Sequence, residues 1–168
     1  MYNIKTKKSK LSAHIPTYGT DFSAGADLYC AEEQPIIIKP HTSQFIDTGI
    51  AIEIPVRHVG FIFARSGLSC KQNLRLANSV GVIDSDYRDS IKVALYNDGD
   101  IPRQIECGER IAQIIIIPYP KCNFIDQIFQ KQKEVILDLV VLGGFNGKNN
   151  IIFYWLPHVH CCRKKNEK

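Results

Sequence analysis

The sequence predicts an all-β fold built as a single-domain sandwich or jelly-roll-like barrel. Short runs of β-branched residues recur along the chain, turn residues separate them about every ten residues, and no long stretch has a helical period. The 168 residues fit one compact domain, and an apolar content of 45% is enough for a core. Many short strands with regular turns are typical of such sandwiches and barrels.

Five segments carry the strand pattern. Each is β-branched or alternates apolar with polar residues, and each ends at proline or at a turn such as Asn97-Asp98-Gly99. We expect strands at residues 36–38, 50–54, 59–64, 91–96 and 111–117, and a short helical turn at 69–74. The apolar run 114–117 predicts a strand buried on both faces. In a chain this small, that burial indicates contact with another subunit.

Charge and cysteine content narrow the function classes. A net charge of +4 suits an anionic ligand but is too small to indicate a nucleic-acid binder, and the basic runs at 5–8 and 163–165 are interpreted as solvated tails. No apolar run has the length of a membrane span, and the start does not resemble a signal peptide. The six cysteines contain no C-x-x-C pair. We expect free thiols in a cytoplasmic, nuclear or host-cell interior, not a secreted protein.

Residues 81–88 (Gly-Val-Ile-Asp-Ser-Asp-Tyr-Arg) are the densest cluster of chemically useful side chains, in a predicted turn or hairpin tip. Asp84 and Asp86 point the same way if this segment is extended, so one can orient a water while the other is structural. Tyr87 can stack on a sugar. The alternative is an Asx-rich turn with a solvated face.

Three further clusters are weak signals on their own. Arg65, with Ser66 and Gly67, offers a forked donor and close backbone approach to phosphate, or else forms an ordinary loop. Gln113, in the segment 108–113, offers an amide for a water and a phosphate oxygen, or else is a plain strand start. Asp27, among the small residues 23–28, can reach a metal-bound water, or else belongs to another turn.

Taken in order, these four clusters strongly resemble the trimeric dUTPase family, from about residue 20 to residue 118. Thr48-Gly49-Ile50 and Asn78 resemble it as well. The resemblance implies an all-β jelly-roll (β-clip) barrel that assembles as a C3 homotrimer. It implies hydrolysis of dUTP to dUMP and pyrophosphate, which limits dUTP and supplies dUMP for dTMP synthesis. The small net charge and the short apolar runs lead us to expect no nucleic-acid or membrane partner.

The resemblance also implies a role for each matching residue. Asp84 holds the water that attacks the α-phosphorus, and Tyr87 lies against the deoxyribose and excludes a 2′-hydroxyl. Mg²⁺ is bound mostly by the triphosphate and water, and Asp27 touches it through water only. Each site draws on three chains. The remaining substrate-binding positions are Asn78, Val82, Ile83 and Lys92 for uracil, Arg65, Ser66 and Gly67 for the phosphates, Gln113 beside the α-phosphate, and Phe145 stacked on uracil.

The C-terminal end of the chain, from residue 138 onward, departs from the family pattern. We expect an N-terminal segment at 1–18, the β domain at 19–137, an altered glycine arm at 138–150 and a divergent tail at 151–168. Val140 stands where the family has an arginine for the γ-phosphate, although Gly143-Gly144-Phe145 matches and Lys148 can supply a replacement charge. Asp89 and Ser79 stand where relatives have glycine.

The altered arm keeps two rival functions open. One is a weakly active or inactive nucleotide-binding or regulatory protein on the same fold. The other is an enzyme of the dCTP deaminase type. The His-x-His-Cys-Cys sequence at 158–162 is a further possible metal site, although adjacent cysteines lack the usual zinc-ligand spacing.

Overall fold

The computed structural model of the chain describes residues 3–127, and these form twelve strands and one short helix. The all-β expectation is therefore confirmed. The strands are β1 (Lys5–Lys8), β2 (Thr17–Tyr18), β3 (Ala26–Tyr29), β4 (Ile36–Ile38), β5 (Ser43–Asp47), β6 (Ile50–Glu53), β7 (His58–Phe63), β8 (Leu74–Leu76), β9 (Gly81–Ile83), β10 (Lys92–Asn97), β11 (Arg103–Ile105) and β12 (Arg110–Pro118), and the helix is α1 (Ser66–Gln72).

The strands of residues 3–127 pair in antiparallel fashion in four sheets. The largest has the order β2-β3-β12-β7-β9, and a second has the order β5-β10-β8. Two smaller pairs, β1-β6 and β4-β11, complete the arrangement. Strands that are neighbours in space are often distant in sequence, as in jelly-roll and related β architectures.

The core is built from the inward positions of alternating strands. In β10, for example, Val93, Leu95 and Asn97 are buried while the residues between them are partly exposed. Leucine, isoleucine and valine supply the fully buried side chains, namely Leu28, Ile38, Ile46, Ile50, Ile54, Leu74, Leu76, Ile91, Val93, Leu95, Ile105 and Ile111.

Strand β12 differs from its sequence prediction in burial. Ile114 is buried, but Ile115 and Ile116 are half-buried and Ile117 is 39% exposed in the single chain. One chain alone therefore does not cover residues 114–117 on both faces, and the expected burial against another subunit stays a prediction. The second half of β12 also has fewer strand neighbours than the first, because β3 pairs with residues up to Ile114 and only β7 continues to Pro118.

The basic segment Lys5–Lys8, interpreted above as a solvated tail, is instead strand β1. It pairs with β6 in the register Lys5↔Glu53 to Lys8↔Ile50, and the Lys5 ammonium lies 3.4 Å from the Glu53 carboxylate. Its side chains are largely exposed, so the interpretation of the surface was right and that of the backbone was wrong. The segment 1–18 thus contributes two strands, β1 and β2, to the fold.

The helical turn expected at 69–74 is shifted toward the N-terminus, to Ser66–Gln72. Arg65 is extended at the N-cap, and Asn73 closes the helix in the left-handed conformation with φ 57°. Asparagine tolerates that conformation better than most residues, so it ends the helix and lets Leu74 begin β8.

Residues 81–88 do not form the tip of a regular hairpin. Strand β9 pairs with β7, whereas β10 pairs with β5 and β8, so the segment connects two different sheets of the described fold. Ser79 has φ 61°, as expected for a position that favours glycine. Asp89 does not share this conformation, so its carboxylate side chain adds no backbone strain.

Residues Met1–Phe124 form one compact unit; of the second, Ile125–Lys168, the structure describes only residues 125–127, which have no regular secondary structure. The glycine arm and tail, with Val140, Phe145 and Lys148, lie outside the described residues. The described cysteines, at positions 30, 70, 107 and 122, form no disulfide. None of the helical structure found in residues 3–127 has the length and apolar character of a membrane span.

Candidate functional site

A buried carboxylate holds two arginines at one end of the large sheet. Asp27 on β3 accepts a hydrogen bond of 2.8 Å from Nε of Arg65 and one of 3.2 Å from a terminal nitrogen of Arg110. The Asp27 side chain is only 11% exposed, while Arg65 is 26% and Arg110 50% exposed. Two guanidinium groups around one carboxylate leave a net positive charge facing solvent, which favours an anionic ligand.

Gln113 lies beside this cluster on the central strand. It pairs in register with Asp27 on one side and Phe63 on the other, so the three side chains emerge on the same face of the sheet. Its Nε2 atom donates to the carbonyl of Ala64 at 3.1 Å. That bond fixes the amide and leaves its oxygen directed toward Gly25, where an added Cβ would lie 2.5 Å from it.

Ser66 and Gly67 follow Arg65 and begin α1. Both are exposed, and their backbone N–H groups belong to the first turn, whose amides lack partners within a helix. No heavy atom lies within 4 Å of the place where Gly67 would carry a Cβ. The open space at Gly67 is compatible with a ligand that approaches the backbone closely.

The second group of predicted residues surrounds β9. This strand is the last in the described order of the large sheet, so the backbone groups that point away from β7, which belong to alternate residues of β9, are available to a ligand. Asn78 lies before it and is exposed. Lys92 starts β10 and pairs with Asp47, whereas β8 covers β10 only from Leu95 onward.

The loop after β9 carries Asp84 and Tyr87. The Asp84 side chain is exposed, and its carboxylate makes no hydrogen bond or ion pair with residues 3–127. Tyr87 is half-buried against the core, and its hydroxyl donates to the carbonyl of Ser90 at 3.1 Å. Arg88 braces the loop by donating to the carbonyls of Ser85 at 2.7 Å and Tyr87 at 2.9 Å. A free carboxylate thus stands next to a fixed aromatic ring.

One chain does not bring the two groups together. Ile83 pairs with Gly60, whereas Gln113 pairs with Phe63 across β7. Three residues along β7 and two strand spacings across it separate the Cα atoms of Ile83 and Gln113 by roughly 14 Å. Asp84 continues further from Phe63, because β9 runs antiparallel to β7.

The described residues hold no ready-made metal cage. No group of three or more His, Cys, Asp or Glu side chains within residues 3–127 is arranged to bind a metal ion. Asp27 already has an arginine partner on each oxygen, and each oxygen keeps a second lone pair for a water. The residues would therefore suit a hydrated Mg²⁺ that arrives with a phosphate ligand, which Asp27 would hold through water.

Two residues of this region had no role in the sequence interpretation. Arg110 was part of the recognised cluster at 108–113, and its contact with Asp27 links residues 83 positions apart. Gly25 was part of the cluster at 23–28, and its role appears only when the Gln113 side chain is placed over it. The small-residue run around Gly25 is the one sequence signal that could have indicated a close approach.

A groove of about 800 Å³ lies elsewhere on the same unit. Its walls include Ile15, Tyr18, Ile52, Ile114 and Ile116. None of the predicted site residues lines this groove, so its volume does not identify the site.

Comparison with known proteins gives a consistent family. The profile of the dUTPase family matches residues 12–141. The deoxyuridine 5′-triphosphate nucleotidohydrolase of Rickettsia akari (strain Hartford) is 50% identical over 149 residues, covering 88% of this chain and 97% of the relative. The enzyme of that name from Desulfitobacterium hafniense (strain DSM 10664 / DCB-2) is 46% identical over 123 residues, covering 70% and 82%.

Solved structures show the same fold. A mutant dUTPase of Staphylococcus bacteriophage 80alpha with dUpNHpp aligns with a TM-score of 0.71 and 24% identity, covering 79% of this chain and 100% of that one. A mutant dUTPase of phage phi11 of S. aureus, described with a structural Mg(II) ion, aligns with a TM-score of 0.68 and 23% identity, covering 77% and 99%. The chain is 50% identical to a relative that it covers almost completely, and the family profile matches most of its sequence. The chain therefore belongs to the dUTPase family.

Proposed function

We propose that this chain hydrolyses dUTP to dUMP and pyrophosphate. The observation that carries the proposal is the cluster of Asp27, Arg65, Arg110 and Gln113, which sets net positive charge and a fixed amide on one face of the sheet. Such a cluster suits a triphosphate, and positioning plus charge stabilisation account for most of the catalysis of phosphoryl transfer. The curated relatives at 46–50% identity carry the name of this activity.

In the proposed reaction, Asp84 accepts a hydrogen bond from a water and takes its proton as the water oxygen bonds to the α-phosphorus. The bond from that phosphorus to the bridging oxygen breaks, and pyrophosphate leaves with the electron pair. Gln113 holds the α-phosphate oxygen and the water, while Arg65 with the backbone at Ser66 and Gly67 binds the other phosphates. Mg²⁺ held by the phosphates, and by Asp27 through water, would neutralise phosphate charge as a Lewis acid.

The proposed base and sugar contacts use the second group. The backbone around Val82, Ile83 and Lys92, with the Asn78 side chain, reads uracil, whose pattern of donors and acceptors differs from that of cytosine. The ring of Tyr87 lies against the deoxyribose and leaves no room for a 2′-hydroxyl. The anchored hydroxyl of Tyr87 supports this role because it limits how far the ring can yield.

We further propose that the complete site forms between copies of the chain in a C3 homotrimer. Two observations support this. The Asp84 and Gln113 groups lie too far apart in one chain, by roughly 14 Å between the Cα atoms of Ile83 and Gln113. The apolar second half of β12, including Ile116 and Ile117, is incompletely covered in one chain. A closed ring of three copies satisfies both requirements.

A mixing experiment tests the shared site. Arg65→Ala and Asp84→Asn would each be inactive alone, since each removes one half of every site. Unfolded together and refolded as mixed trimers, they should regain about a quarter of the wild-type activity, because that fraction of sites draws both intact halves from different chains. A mixture as inactive as its parents would contradict the proposal, provided that light scattering shows trimers in all three samples.

The altered glycine arm remains a prediction from sequence. Val140 stands where the family has an arginine. We propose that this chain turns over dUTP more slowly than a family member with the arginine, because an arginine that stabilises developing phosphate charge contributes strongly to the rate. Val140→Arg should then raise kcat for dUTP. An unchanged kcat in that variant would mean that another group, such as Lys148, already supplies the charge.

A further inference from the structure

A chain of polar contacts joins the N-terminal segment to the loop that carries Asp84 and Tyr87. The Lys10 ammonium lies 2.8 Å from the Glu32 carboxylate and 3.3 Å from that of Asp47. The backbone N–H of Asp47 donates to the other Glu32 oxygen at 3.0 Å. These three charged residues follow β1, follow β3 and end β5, respectively, so the contacts fix Asp47 from two sides.

Asp47 in turn positions the loop that carries Tyr87. Its Oδ1 atom accepts hydrogen bonds from the N–H of Gly49 at 2.8 Å and from the hydroxyl of Ser90. The carbonyl of Ser90 in turn accepts the hydroxyl of Tyr87 at 3.1 Å. The position of the Tyr87 ring therefore depends on Ser90, and the position of Ser90 depends on Asp47.

The next residue, Ile91, gives the loop a rigid end. The hydroxyl of Thr48 donates to its carbonyl at 2.8 Å, and its N–H donates to the carbonyl of Ile50 at 2.8 Å. The Ile91 side chain is fully buried. The backbone is thus held from Ile91 onward, and the hydroxyl of Ser90 is the side-chain contact that extends this support one residue back toward Tyr87.

Charge strengthens the contact. Burial raises the pKa of the Asp47 carboxyl, but hydrogen bonds from Ser90, Gly49 and Lys10 outweigh burial and hold its pKa below the ordinary value. Asp47 is therefore ionised at neutral pH. A hydroxyl that donates to a carboxylate makes a shorter and stronger hydrogen bond than one that donates to a neutral acceptor.

Resting on the proposed function, we propose that Asp47 and Ser90 are positioning residues that set the preference for deoxyribose over ribose. Neither side chain needs to touch the nucleotide. A 2′-hydroxyl can be accommodated only if the ring of Tyr87 moves away from the sugar. The contacts from Asp47 through Ser90 to the Tyr87 hydroxyl oppose that movement, because the ring can retreat only by breaking its hydrogen bond to the Ser90 carbonyl or by displacing Ser90, whose hydroxyl is bonded to the Asp47 carboxylate.

The test compares binding of non-hydrolysable α,β-imido analogues of dUTP and UTP, measured by calorimetry in Mg²⁺, to full-length wild type and variants. Ser90→Ala and Asp47→Asn should lower the ratio of deoxy to ribo affinity by roughly tenfold, the size of one charge-assisted hydrogen bond. Ser90→Thr, which keeps the hydroxyl, should retain the wild-type ratio. Ser12→Ala is the matched control, because it removes a serine hydroxyl bonded to the Ala31 carbonyl at 2.8 Å, outside the loop.

A purely structural role would lower the active fraction of protein and leave the ratio of the two affinities unchanged. An unchanged ratio in Ser90→Ala and Asp47→Asn, with or without a lower melting temperature, would therefore overturn the inference. Hydrolysis of dUTP by the same wild-type sample is assayed separately. If the wild type binds the deoxy analogue tightly but does not hydrolyse dUTP, the proposed activity fails, and the affinity ratio still decides the role of Asp47 and Ser90.

Discussion

The Nε atom of Arg65 donates to Oδ1 of Asp27 at 2.8 Å, and the same carboxylate receives Arg110 on its other oxygen at 3.2 Å. The hydrogen bond to Asp27 fixes the orientation of the Arg65 guanidinium group. Without Asp27 the two guanidinium groups would repel each other, and Arg65 would lose its fixed orientation toward the phosphates.

Asp27→Asn should therefore affect both stability and catalysis. We expect the free energy of unfolding to fall by about 2 kcal/mol, because charge-assisted hydrogen bonds of a buried carboxylate are lost. We expect kcat/KM for dUTP to fall by about one to two orders of magnitude. Denaturant titration and steady-state kinetics measure these two quantities.

Asp98→Asn is the matched control. It breaks the Arg75–Asp98 pair, whose distance of 2.7 Å is similar but whose side chains are about half exposed. An exposed pair contributes at most about 1 kcal/mol. Equal loss of activity in Asp27→Asn and Asp98→Asn would argue against the role of Asp27.

Gly25→Ala should separate activity from stability. The new Cβ would lie 2.5 Å from the amide oxygen of Gln113 and 3.2 Å from the Gln113 Cβ, so the end of that side chain must move and its Cβ must shift slightly. Because a flexible side chain can yield, the melting temperature should change little, while kcat for dUTP should fall at least about tenfold. The control is Gly19→Ala, where the nearest atom is Ser23 Oγ at 3.6 Å. Full activity in Gly25→Ala would mean that Gln113 is not needed in its observed position.

Ser79→Gly should stabilise the fold. Ser79 has φ 61°, a conformation that costs a residue with a side chain about 1 kcal/mol. Glycine removes this strain but adds freedom to the unfolded chain, so we expect a net gain of about 0.5 kcal/mol by denaturant titration. Ser79→Ala keeps the Cβ and should give no gain. If alanine and glycine stabilise equally, backbone strain is not the cause.

The Lys10–Glu32–Asp47 network should make stability depend on pH. The hydrogen bond from Lys10 first, with smaller contributions from the Asp47 N–H and the Lys10 charge, outweighs burial and lowers the pKa of Glu32 below its ordinary 4.5. The pKa of Asp47 likewise lies below its ordinary 3.8. A carboxyl whose folded pKa is lowered stabilises the fold above its unfolded pKa, and this contribution is lost as pH falls through the folded pKa.

Lys10 acts at the other end of the pH range. Burial lowers the pKa of its ammonium, but hydrogen bonds and charge from Glu32 and Asp47 outweigh burial and raise the pKa above the ordinary 10.5. Its contribution is present below that value and is lost as pH rises through the folded pKa.

Lys10→Met should thus reduce stability at neutral pH by about 1 kcal/mol, and it should flatten the loss of stability between about pH 5 and pH 3. Denaturant titrations across this range measure both effects. Lys5→Met breaks only the exposed pair with Glu53. Its free energy of unfolding should therefore depend on pH as that of the wild type does. A Lys10→Met curve parallel to that of the wild type would exclude the network as the cause.

The strands that the sequence predicts well are those with a buried face. Period-2 alternation locates β6 and β10, and continuous apolar runs locate β4 and most of β7 and β12. The patterns miss β3 and β8, which are largely buried but only four and three residues long. They also miss β1, β5 and β11, whose residues are largely polar and exposed. Backbone pairing with a neighbouring strand, not side-chain burial, holds those segments, and no local pattern reports such pairing.

The candidate site is predictable to a similar extent. The resemblance identified Asp27, Arg65, Gln113, Asp84 and Tyr87, each on a short motif. It did not indicate that Arg110 shares the carboxylate of Asp27, nor that Ser90 bonds Asp47, because these contacts join residues 83 and 43 positions apart. Such pairings follow from sheet register and not from local sequence.

The most direct test of the central claim is product formation from dUTP and Mg²⁺ by the full-length chain and by Asp84→Asn. We predict that the wild type forms dUMP and pyrophosphate in equal amounts, and that the variant, still folded and trimeric, is slower by about two to four orders of magnitude. No pyrophosphate from the wild type, or equal rates from wild type and Asp84→Asn, would contradict the account.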